Sequence, residues 1–378
     1  MARALKALID CGALKHNLRR VKEQAPGCLI MAMVKANGYG HGIVTVAKVL
    51  MEADAYGVAC IEEATQLVNA GIQKPIVLME GFFEKSELPD IVAMNMQAVV
   101  HSDYQIQALE SFCQKFLAYP IFQPIKVWIK INTGMHRLGF PPEVLISVIE
   151  RLCALPSIHI VGVLTHFASA DELENPETQV QTKRFMQALK PIDQAMGISL
   201  SNSAGILGWM ASIQTTFANT SYIPWVRPGL MLYGASPFSG RIGQQEGLKP
   251  VMTLVSKLIA IQCVKKGGAV GYGGTYIAEK DCRIGVVAVG YGDGYPRVMP
   301  TGTPVLVKGV RVPLVGRVSM DMLTVDLSLV NDSNVGDPVQ LWGPELPVEE
   351  VAVWVNTTAY ELLTSLSARV PCEVFGET

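Results

Sequence analysis

The sequence predicts a (β/α)8 barrel, a closed ring of parallel strands each followed by a helix, and after it a second, mostly β domain. Three observations lead to this fold class. Short β-rich apolar runs alternate with amphipathic segments over the first 240 residues, which is the pattern of successive βα units. About eight such units occur, the number that closes a barrel. Beyond residue 240, valine-rich runs are broken by glycine and proline, without long helices between them.

The barrel strands are placed on apolar runs, and the helices on stretches between them. Helix-like stretches are EEATQLVNAG, PPEVLISVIERLCAL and ETQVQTKRFMQALKPIDQAMG, and in the last two the apolar residues recur every three or four positions. The predicted strands cover residues 29–34, 55–60, 75–80, 97–102, 125–131, 159–165, 198–203 and 225–230.

The second domain is predicted over residues 241–378, which leaves residues 1–240 to the barrel domain. The segment VEEVAVWVNTTAYELLTSLSARV near the end has a partly helical pattern. The first ten or so residues, which include ALKALID, precede the barrel and are predicted to pair with the β domain. Strands of that domain are predicted in VMTLVSKLIAIQCV, RIGVVAVG, TPVLVKGVRVPLVG, MLTVDLSL and PVQLWG.

Composition restricts the classes of partner. The chain has 378 residues, 49% of them hydrophobic, so it can bury a large core. Its formal net charge of −2 and the lack of a long basic run argue against nucleic acid and favour a small neutral or zwitterionic partner. No apolar run reaches the roughly 18 residues of a membrane span, and the first residues lack the apolar core of a signal peptide. We therefore expect a soluble, cytoplasmic protein that does not bind a membrane.

The eight cysteines are scattered, with no CxxC pair and no zinc-like grouping. They are interpreted as reduced thiols that pack in the fold, and no metal site is expected.

Polar side chains fall at the carboxyl ends of five predicted barrel strands. Catalytic groups of such barrels lie at those ends and in the loops that follow, so these side chains are expected to meet at one rim. Each alone has an ordinary explanation, because a lysine that closes a strand is usually only a solvated end. Their joint placement is what indicates a site. The residues are Lys35, Lys130, His166, Asn202, Ser203 and Arg227.

Lys35 stands between an apolar run and a glycine-rich turn, in VKANGYGHG. An amine at a barrel mouth can form a Schiff base with an aldehyde cofactor and later act as a base, and pyridoxal phosphate is the aldehyde expected. Its phosphate needs backbone N–H groups and hydroxyls, which a barrel offers after its seventh and eighth strands. SNSAG and RPGL lie there, with Ser203 where a helix N-terminus is predicted to begin and to face an anion.

Arg227 indicates the type of reaction. A guanidinium cannot give its proton to a pyridine nitrogen, because its pKa lies above about 12. If Arg227 contacts the ring nitrogen of the cofactor, the ring stays unprotonated and is a weaker electron sink than a protonated ring. A short-lived carbanion suits an enzyme that only moves a proton and must avoid decarboxylation or transamination.

Eight segments of the chain together resemble alanine racemase, and they occur in the order typical of that family. The resemblance runs from IDCGALKHNLRR to SARVP, which is nearly the whole chain. The segments are VKANGYGHG, KINTGMHRLGF, THFASAD, SNSA, WVRPGLMLYG, GYGGTY, VGYGDGYPR and GRVSMD.

The resemblance implies a homodimeric pyridoxal-phosphate enzyme that interconverts L- and D-alanine for peptidoglycan synthesis. Lys35 matches the Schiff-base lysine, which is the base on one face of the substrate, and Tyr272 matches the base on the other. In the family this tyrosine comes from the partner subunit. His166 matches an imidazole that bonds to the tyrosine and to the arginine matching Arg227. Since the unperturbed pKa of tyrosine is about 10, the site is expected to lower it.

The resemblance implies further contacts. Arg137 lies at the phenolic oxygen of the cofactor and, with the backbone amide of Met320, holds the substrate carboxylate. Lys130 matches a lysine often carbamylated in the family, a change that turns a repelling cation into an anion able to pair with Arg137. Asp321 and Tyr291 are assigned to the part of the site shared in the dimer. The cofactor-binding residues are Lys35, Tyr39, Arg137, His166, Asn202, Ser203, Arg227, Gly229, Leu230 and Tyr360.

Two positions depart from the family pattern. Asn132 stands where many relatives have aspartate, which weakens the negative charge around Lys130 and Arg137. Ser319 stands where many have cysteine and is expected to matter little. Neither position touches the two proposed bases.

Three alternatives stay open at this point. A non-catalytic pyridoxal-phosphate carrier would have no use for the β domain. A decarboxylase of the same two-domain plan typically has a glutamate at the ring nitrogen and a reactive cysteine, where this chain has Arg227 and Ser319. A racemase for serine, lysine or another amino acid differs only in pocket volume, and each methylene changes discrimination by only about 1–3 kcal/mol.

Overall fold

The structure, a computed structural model, describes residues 3–115, 123–192, 195–218 and 220–376. Eight parallel strands close a barrel in which each strand pairs with its neighbours in chain order, and β2 pairs with β9 to close the ring. All eight strands predicted from the sequence are confirmed, and most end two to four residues earlier than predicted. They are β2 (Leu29–Met33), β3 (Ala55–Val58), β4 (Ile76–Leu78), β5 (Gln97–Val100), β6 (Ile125–Lys130), β7 (Ile158–Leu164), β8 (Gly197–Ser199) and β9 (Ile223–Val226).

A tryptophan fills the interior of the barrel. Trp128 on β6 is fully buried, and its indole N–H donates to Oε1 of Gln97 on β5 at 2.8 Å. Two glycines on neighbouring strands leave room for its ring, because a Cβ added at Gly162 or Gly197 would lie 2.6 or 2.7 Å from ring atoms. The barrel is therefore a packed core rather than a channel.

Helices surround the barrel and bury one face against its strands. In α7 the buried residues Leu145, Val148 and Leu152 recur at three- and four-residue spacing, as the sequence predicted. The helices of this part are α1 (Cys11–Gln24), the one-turn α2 (Lys35–Tyr39), α3 (Ile43–Val49), α4 (Ile61–Asn69), α5 (Leu88–Ala93), α6 (Asp103–Lys115), α7 (Leu145–Cys153), α8 (Glu177–Leu189) and α9 (Met210–Phe217).

α8 is shorter than its predicted stretch and ends at Leu189, ahead of a proline at position 191, which is a residue that disfavours helix continuation. A π-helical segment, Gly205–Trp209, precedes α9. Residues 193–194 of the predicted stretch lie outside the described residues.

The second part of the chain is mostly β, as predicted, and its strands form a mostly antiparallel sheet. The first strand of the chain, β1 (Lys6–Asp10), pairs antiparallel with β10 and parallel with β18 and so belongs to this sheet. Its other strands and the small β11–β12 pair are β10 (Met252–Val264), β11 (Ala269–Val270), β12 (Tyr276–Ile277), β13 (Cys282–Val287), β14 (Pro304–Val307), β15 (Val310–Pro313), β16 (Leu323–Asp326), β17 (Pro338–Trp342) and β18 (Cys372–Phe375).

Two short helices, α10 (Val348–Val353) and α11 (Ala359–Thr364), occupy the segment with the partly helical pattern. α11 contacts α2 at the barrel mouth, and a Cβ added at Gly40 would lie 2.1 Å from the carbonyl oxygen of Leu363. The second part of the chain therefore covers part of the rim. Across the described ranges, no helix is both long and apolar enough to cross a membrane.

Candidate active site

A cavity of about 570 Å³ opens at the carboxyl end of the barrel strands. Its size is ordinary for a small-molecule site. Most of the residues predicted for the site line it, although they are spread over more than 300 positions of the chain. The predicted residues in its wall are Lys35, Tyr39, Lys130, Arg137, His166, Asn202, Ser203, Arg227, Gly229 and Tyr360. Leu230 is buried and lines the adjacent cavity together with Asn202 and Tyr360.

Lys35 begins a left-handed turn. Three non-glycine residues after it have positive φ, namely Ala36 at 51°, Asn37 at 53° and Tyr39 at 52°. Left-handed backbone costs about 1–2 kcal/mol per non-glycine residue, so the turn needs outside support. Glu63 on α4 gives some, because its Oε1 accepts the Ala36 N–H at 2.7 Å. Strain of this kind is found at functional sites, and here it lies directly after the lysine.

Ser203 joins the ends of two barrel strands. Helical backbone begins at Ser203, as predicted, and the side chain of Asn202 accepts the N–H of Gly205 at 2.9 Å. The Ser203 hydroxyl oxygen accepts the N–H groups of Gly229 and Met231 at 3.0 and 3.2 Å. Since both lone pairs of Ser203 Oγ are used, only its own hydrogen is left to donate, and the hydroxyl can serve an anion.

The lack of a side chain at Gly229 lets a buried phenol approach its backbone closely. A Cβ added at Gly229 would lie 2.4 Å from the hydroxyl of Tyr39. Burial raises the pKa of Tyr39 well above its usual value, and burial raises the pKa of Tyr360 to about 12. Both phenols therefore stay protonated at neutral pH and are available as donors beside Ser203.

Arg227 directly follows β9 and is almost completely buried. One terminal nitrogen donates to Ser199 Oγ at 2.6 Å, and the other to the carbonyl oxygen of Thr165 at 2.6 Å. The second nitrogen also lies 3.3 Å from His166 Nδ1. Burial lowers the pKa of Arg227 to about 10, so the guanidinium is still charged at neutral pH.

His166 is held as a neutral ring. Its pKa is lowered well below the usual value, first by burial and then by the charges of Arg227, Lys130 and Arg137. Because Arg227 can only donate, Nδ1 of His166 is the acceptor of their contact. The ring hydrogen of neutral His166 is therefore on Nε2.

Lys130 is the last residue of β6 and is 7% exposed. Burial is the main cause that lowers its pKa to about 8, followed by the positive charges of Arg227, Arg137 and Lys35, while Glu80 acts in the opposite direction. A large fraction of a lysine with this pKa is a neutral amine under mildly alkaline conditions.

Asn132 is engaged in its own turn. Its Oδ1 accepts the N–H groups of Gly134 and His136 at 3.2 and 3.0 Å, and its Nδ2 lies 3.1 Å from His136 Nδ1. The amide of Asn132 is thus used within its own turn, and because it is neutral it gives Lys130 and Arg137 no negative charge.

Four predicted residues lie elsewhere in the folded chain. Tyr272, Tyr291, Met320 and Asp321 do not line the barrel cavity within the described ranges. Tyr272 is 72% exposed, and Met320 is 53% exposed. The loops that carry Tyr291 and Asp321 are hydrogen-bonded to each other, because the Tyr291 N–H donates to the carbonyl oxygen of Ser319 at 3.0 Å.

Several residues of the site were missed in the sequence. Glu80 lines the cavity and follows β4, at the end of the apolar run PIVLME, so a charged residue closing that strand was the available signal. Thr165, directly after β7, and Ser199, the last residue of β8, hold Arg227 and have no such signal, since both are uncharged residues at the ends of strands. Among the residues that the structure describes, no group of three or more His, Cys, Asp or Glu could hold a metal.

Comparisons with known proteins match a single family over nearly the whole chain. The family described as "Alanine racemase, N-terminal domain" matches residues 9–237, and "Alanine racemase, C-terminal domain" matches residues 251–374. An alanine racemase of Vibrio cholerae is 48% identical over 375 residues, 99% of this chain and 99% of that protein. One of Vibrio parahaemolyticus is 50% identical over 372 residues, 98% of this chain and 99% of that protein. The crystal structure of biosynthetic alanine racemase from Pseudomonas aeruginosa has a TM-score of 0.89 at 42% identity and covers 99% of this chain and 100% of that one.

Proposed function

The chain belongs to the alanine racemase family, isomerases that racemise amino acids, and we propose that it moves the α-proton of alanine between Lys35 and the partner subunit's Tyr272. The resemblance found in the sequence motifs is thereby confirmed for the family. We propose pyridoxal phosphate as cofactor, a homodimer as the active form, and D-alanine for peptidoglycan as the product. The cytoplasmic location stays a prediction.

The cavity fits the proposed cofactor. The part of the cavity formed by Ser203, Tyr39 and Gly229, here called the phosphate corner, is proposed to hold the phosphate. It offers the Ser203 hydroxyl, already fixed by two backbone amides, and the buried hydroxyl of Tyr39. At Gly229 any side chain would collide with the Tyr39 hydroxyl, so glycine keeps that hydroxyl in place. The amine of Lys35 lines the same cavity, where it can anchor an aldehyde. When bound, pyridoxal phosphate supplies an electron sink that makes the α-proton acidic.

Two bases follow from the geometry of the reaction. Racemisation takes a proton from one face of a planar carbon and returns a proton to the other face, and a single base would have to cross that plane. Lys35 Nζ serves one face. The hydroxyl oxygen of Tyr272 serves the opposite face from the partner subunit, which agrees with its 72% exposure in the single chain.

His166 is suited to hold that tyrosine as a phenolate. Its Nδ1 accepts from Arg227, so its Nε2–H is free to donate to the phenol oxygen of Tyr272. A hydrogen bond to the anionic form lowers the pKa of a phenol, and the positive charge of Arg227 acts in the same direction. Arg137 and the backbone amide of Met320 would orient the substrate carboxylate.

The observation that carries the proposal is the convergence of Lys35, Ser203 and Arg227 on one cavity in a chain of this family. The first test is a chiral assay of D-amino-acid formation from a panel of L-amino acids with added cofactor, in which alanine is expected to react fastest. Lys35→Ala should abolish both the visible absorbance of the bound cofactor and racemisation.

Tyr272→Phe should keep the absorbance and lose most turnover. Tyr104→Phe, at an exposed position on α6, is the matched control and should behave as the wild type. Normal racemisation of alanine by Tyr272→Phe would refute the assignment of the second base.

A mixing experiment tests whether the sites are shared. If each site joins Lys35 of one subunit to Tyr272 of the other, a dimer of one Lys35→Ala and one Tyr272→Phe chain contains one intact site. An equimolar, re-equilibrated mixture of the two inactive variants should therefore recover about a quarter of the wild-type activity, because half of the dimers are mixed. If the two residues came from the same chain, the mixture would stay inactive.

A further inference from the structure

His41 is a fully buried histidine that the proposed reaction does not use. It lies two residues after α2, the left-handed turn that begins at Lys35. Burial lowers the pKa of His41 to about 4, so the imidazole is neutral at physiological pH. A buried neutral imidazole must satisfy its hydrogen-bonding groups inside the fold or lose stability.

The ring of His41 donates to the turn that precedes it. Its Nδ1 lies 2.8 Å from the carbonyl oxygen of Tyr39 and 3.1 Å from that of Gly38. Both partners are acceptors only, so the hydrogen is on Nδ1. The other ring nitrogen, Nε2, is buried and has no hydrogen-bond partner within the described part of the chain. His41 therefore gives its only side-chain donor to two successive carbonyls of the left-handed turn.

Tyr39 is held through its backbone carbonyl and through its ring. Its carbonyl accepts from His41, and its ring stacks on Tyr233 with centroids 4.5 Å apart. The Tyr233 ring also lies 4.7 Å from that of His41, and its hydroxyl donates to the carbonyl of Met33 at 2.8 Å. With the backbone and ring of Tyr39 fixed, its hydroxyl lies close to Gly229, and both residues line the barrel cavity together with Ser203.

We propose that His41 is a positioning residue for the cofactor phosphate: its Nδ1–H locks the left-handed turn that directs the Tyr39 hydroxyl to the phosphate corner. This inference rests on the proposed function, because it takes a phosphorylated cofactor as the ligand. His41 would act through Tyr39 and would not touch the cofactor. Its loss should therefore weaken the hold on the phosphate more than the hold on the ring.

The test compares two ligands that differ only in the phosphate. Full-length protein freed of cofactor is titrated with pyridoxal phosphate and with pyridoxal, and visible absorbance gives the two dissociation constants. The quantity compared is the affinity for pyridoxal phosphate divided by the affinity for pyridoxal. His41→Phe keeps an aromatic ring but has no donor, and we expect it to lower this ratio about tenfold, the effect of one lost hydrogen bond. A merely structural loss would weaken both ligands alike and leave the ratio unchanged.

Two further variants sharpen the comparison. His41→Asn carries an amide N–H at the place of Nδ1 and should return the ratio close to that of the wild type. His159→Phe makes the same substitution as His41→Phe at an exposed position of β7, and its ratio should not change. If His41→Phe does not fold, His41→Leu, which also lacks a donor, takes its place with the same expected ratio.

A double-mutant cycle tests the path through Tyr39. In a Tyr39→Phe background the phosphate has already lost the hydroxyl, so His41→Phe should lower the ratio no further. A wild-type ratio in folded His41→Phe, or a tenfold loss that persists undiminished beside Tyr39→Phe, would overturn the role of His41. A wild-type protein that binds both ligands equally would instead count against the proposed cofactor.

Discussion

Replacing Lys130 by methionine should stabilise the cofactor-free protein at neutral pH. The ammonium of Lys130 is buried and faces three other cations, Arg227, Arg137 and Lys35, against one carboxylate, Glu80. Methionine has similar length and carries no charge, so Lys130→Met removes the cost of the buried charge and keeps most of the packing. The expected result is a protein that is more stable than the wild type but impaired as an enzyme.

The size of the effect follows from the pKa of Lys130, which burial and then the neighbouring positive charges lower from the ordinary 10.5 of a lysine to about 8. Each pKa unit corresponds to about 1.4 kcal/mol, so the penalty on folding is about 3 kcal/mol at pH 7, where the amine is protonated in both states. As pH rises through 8, the folded protein loses this proton while the unfolded chain keeps it, and the penalty falls to about 2 kcal/mol at pH 9 and about 1 kcal/mol at pH 10.

The assay is denaturant unfolding of wild type and Lys130→Met at pH 7, 9 and 10, in buffers free of carbon dioxide. Lys126→Met is the matched control, because Lys126 lies on the same strand but is only half-buried, with its amine 3.0 Å from Asn95 Oδ1. Adding bicarbonate at pH 8 should stabilise the wild type through the carbamate that the resemblance implies at Lys130. The variant should not respond to bicarbonate.

Two results of the unfolding measurements would contradict this role of Lys130. If Lys130→Met were less stable than the wild type at pH 7, or if its advantage stayed constant from pH 7 to pH 10, Lys130 would not be a destabilising buried cation in the empty protein. An equal gain in Lys126→Met would show that any lysine-to-methionine change on this strand has the same effect.

Three more substitutions test the contacts that shape the cavity. Gly229→Ala places a methyl group 2.4 Å from the hydroxyl of Tyr39 and should weaken pyridoxal phosphate binding by about 1–3 kcal/mol in a cofactor titration; unchanged affinity would contradict the geometry of this corner. Ser199→Ala leaves a buried donor of Arg227 unpaired and should cost about 1–3 kcal/mol in denaturant unfolding; a neutral result would mean that the guanidinium finds another partner. Glu63→Gln leaves one carbonyl oxygen in place of the two carboxylate oxygens that accept the N–H groups of Ala36 in the turn and of Ala59 after β3, and it should lower kcat by roughly tenfold; unaltered turnover would show that the turn holds without the carboxylate.

The barrel could be predicted because its signals are local. Each strand is a short apolar run, and each of the longer helices shows apolar residues at helical spacing, as in α7 and α8. Parallel strands bring their carboxyl ends to one rim, so Lys130 and Arg227 could be placed near each other before any contact was known. The strand bounds were predicted too long because the last residues of several runs, such as Asn202 and Ser203, turn away to bind loop amides.

The left-handed turn at α2 could not be predicted, because its causes lie outside the segment. Glycines at 38, 40 and 42 permit positive φ, but Ala36 and Tyr39 disfavour it. The conformation is held by Glu63 from the next βα unit and by the buried ring of His41. Tertiary contacts of this kind override local preference, and no periodicity in the sequence reports them.

Which of the clustered cations gives up its proton is likewise decided by the fold. A guanidinium stays charged at neutral pH even where burial lowers its pKa to about 10, as at Arg227. The ordinary pKa of an ammonium is lower than that of a guanidinium, so burial, followed by the field of the positive charges of the neighbouring side chains, brings the pKa of Lys130 to about 8. A dianionic phosphate and a substrate carboxylate entering the same cavity would reverse the sign of that field. The pKa of an unmodified Lys130 should therefore rise when the ligands bind, so the amine reacts with carbon dioxide most readily in the empty protein.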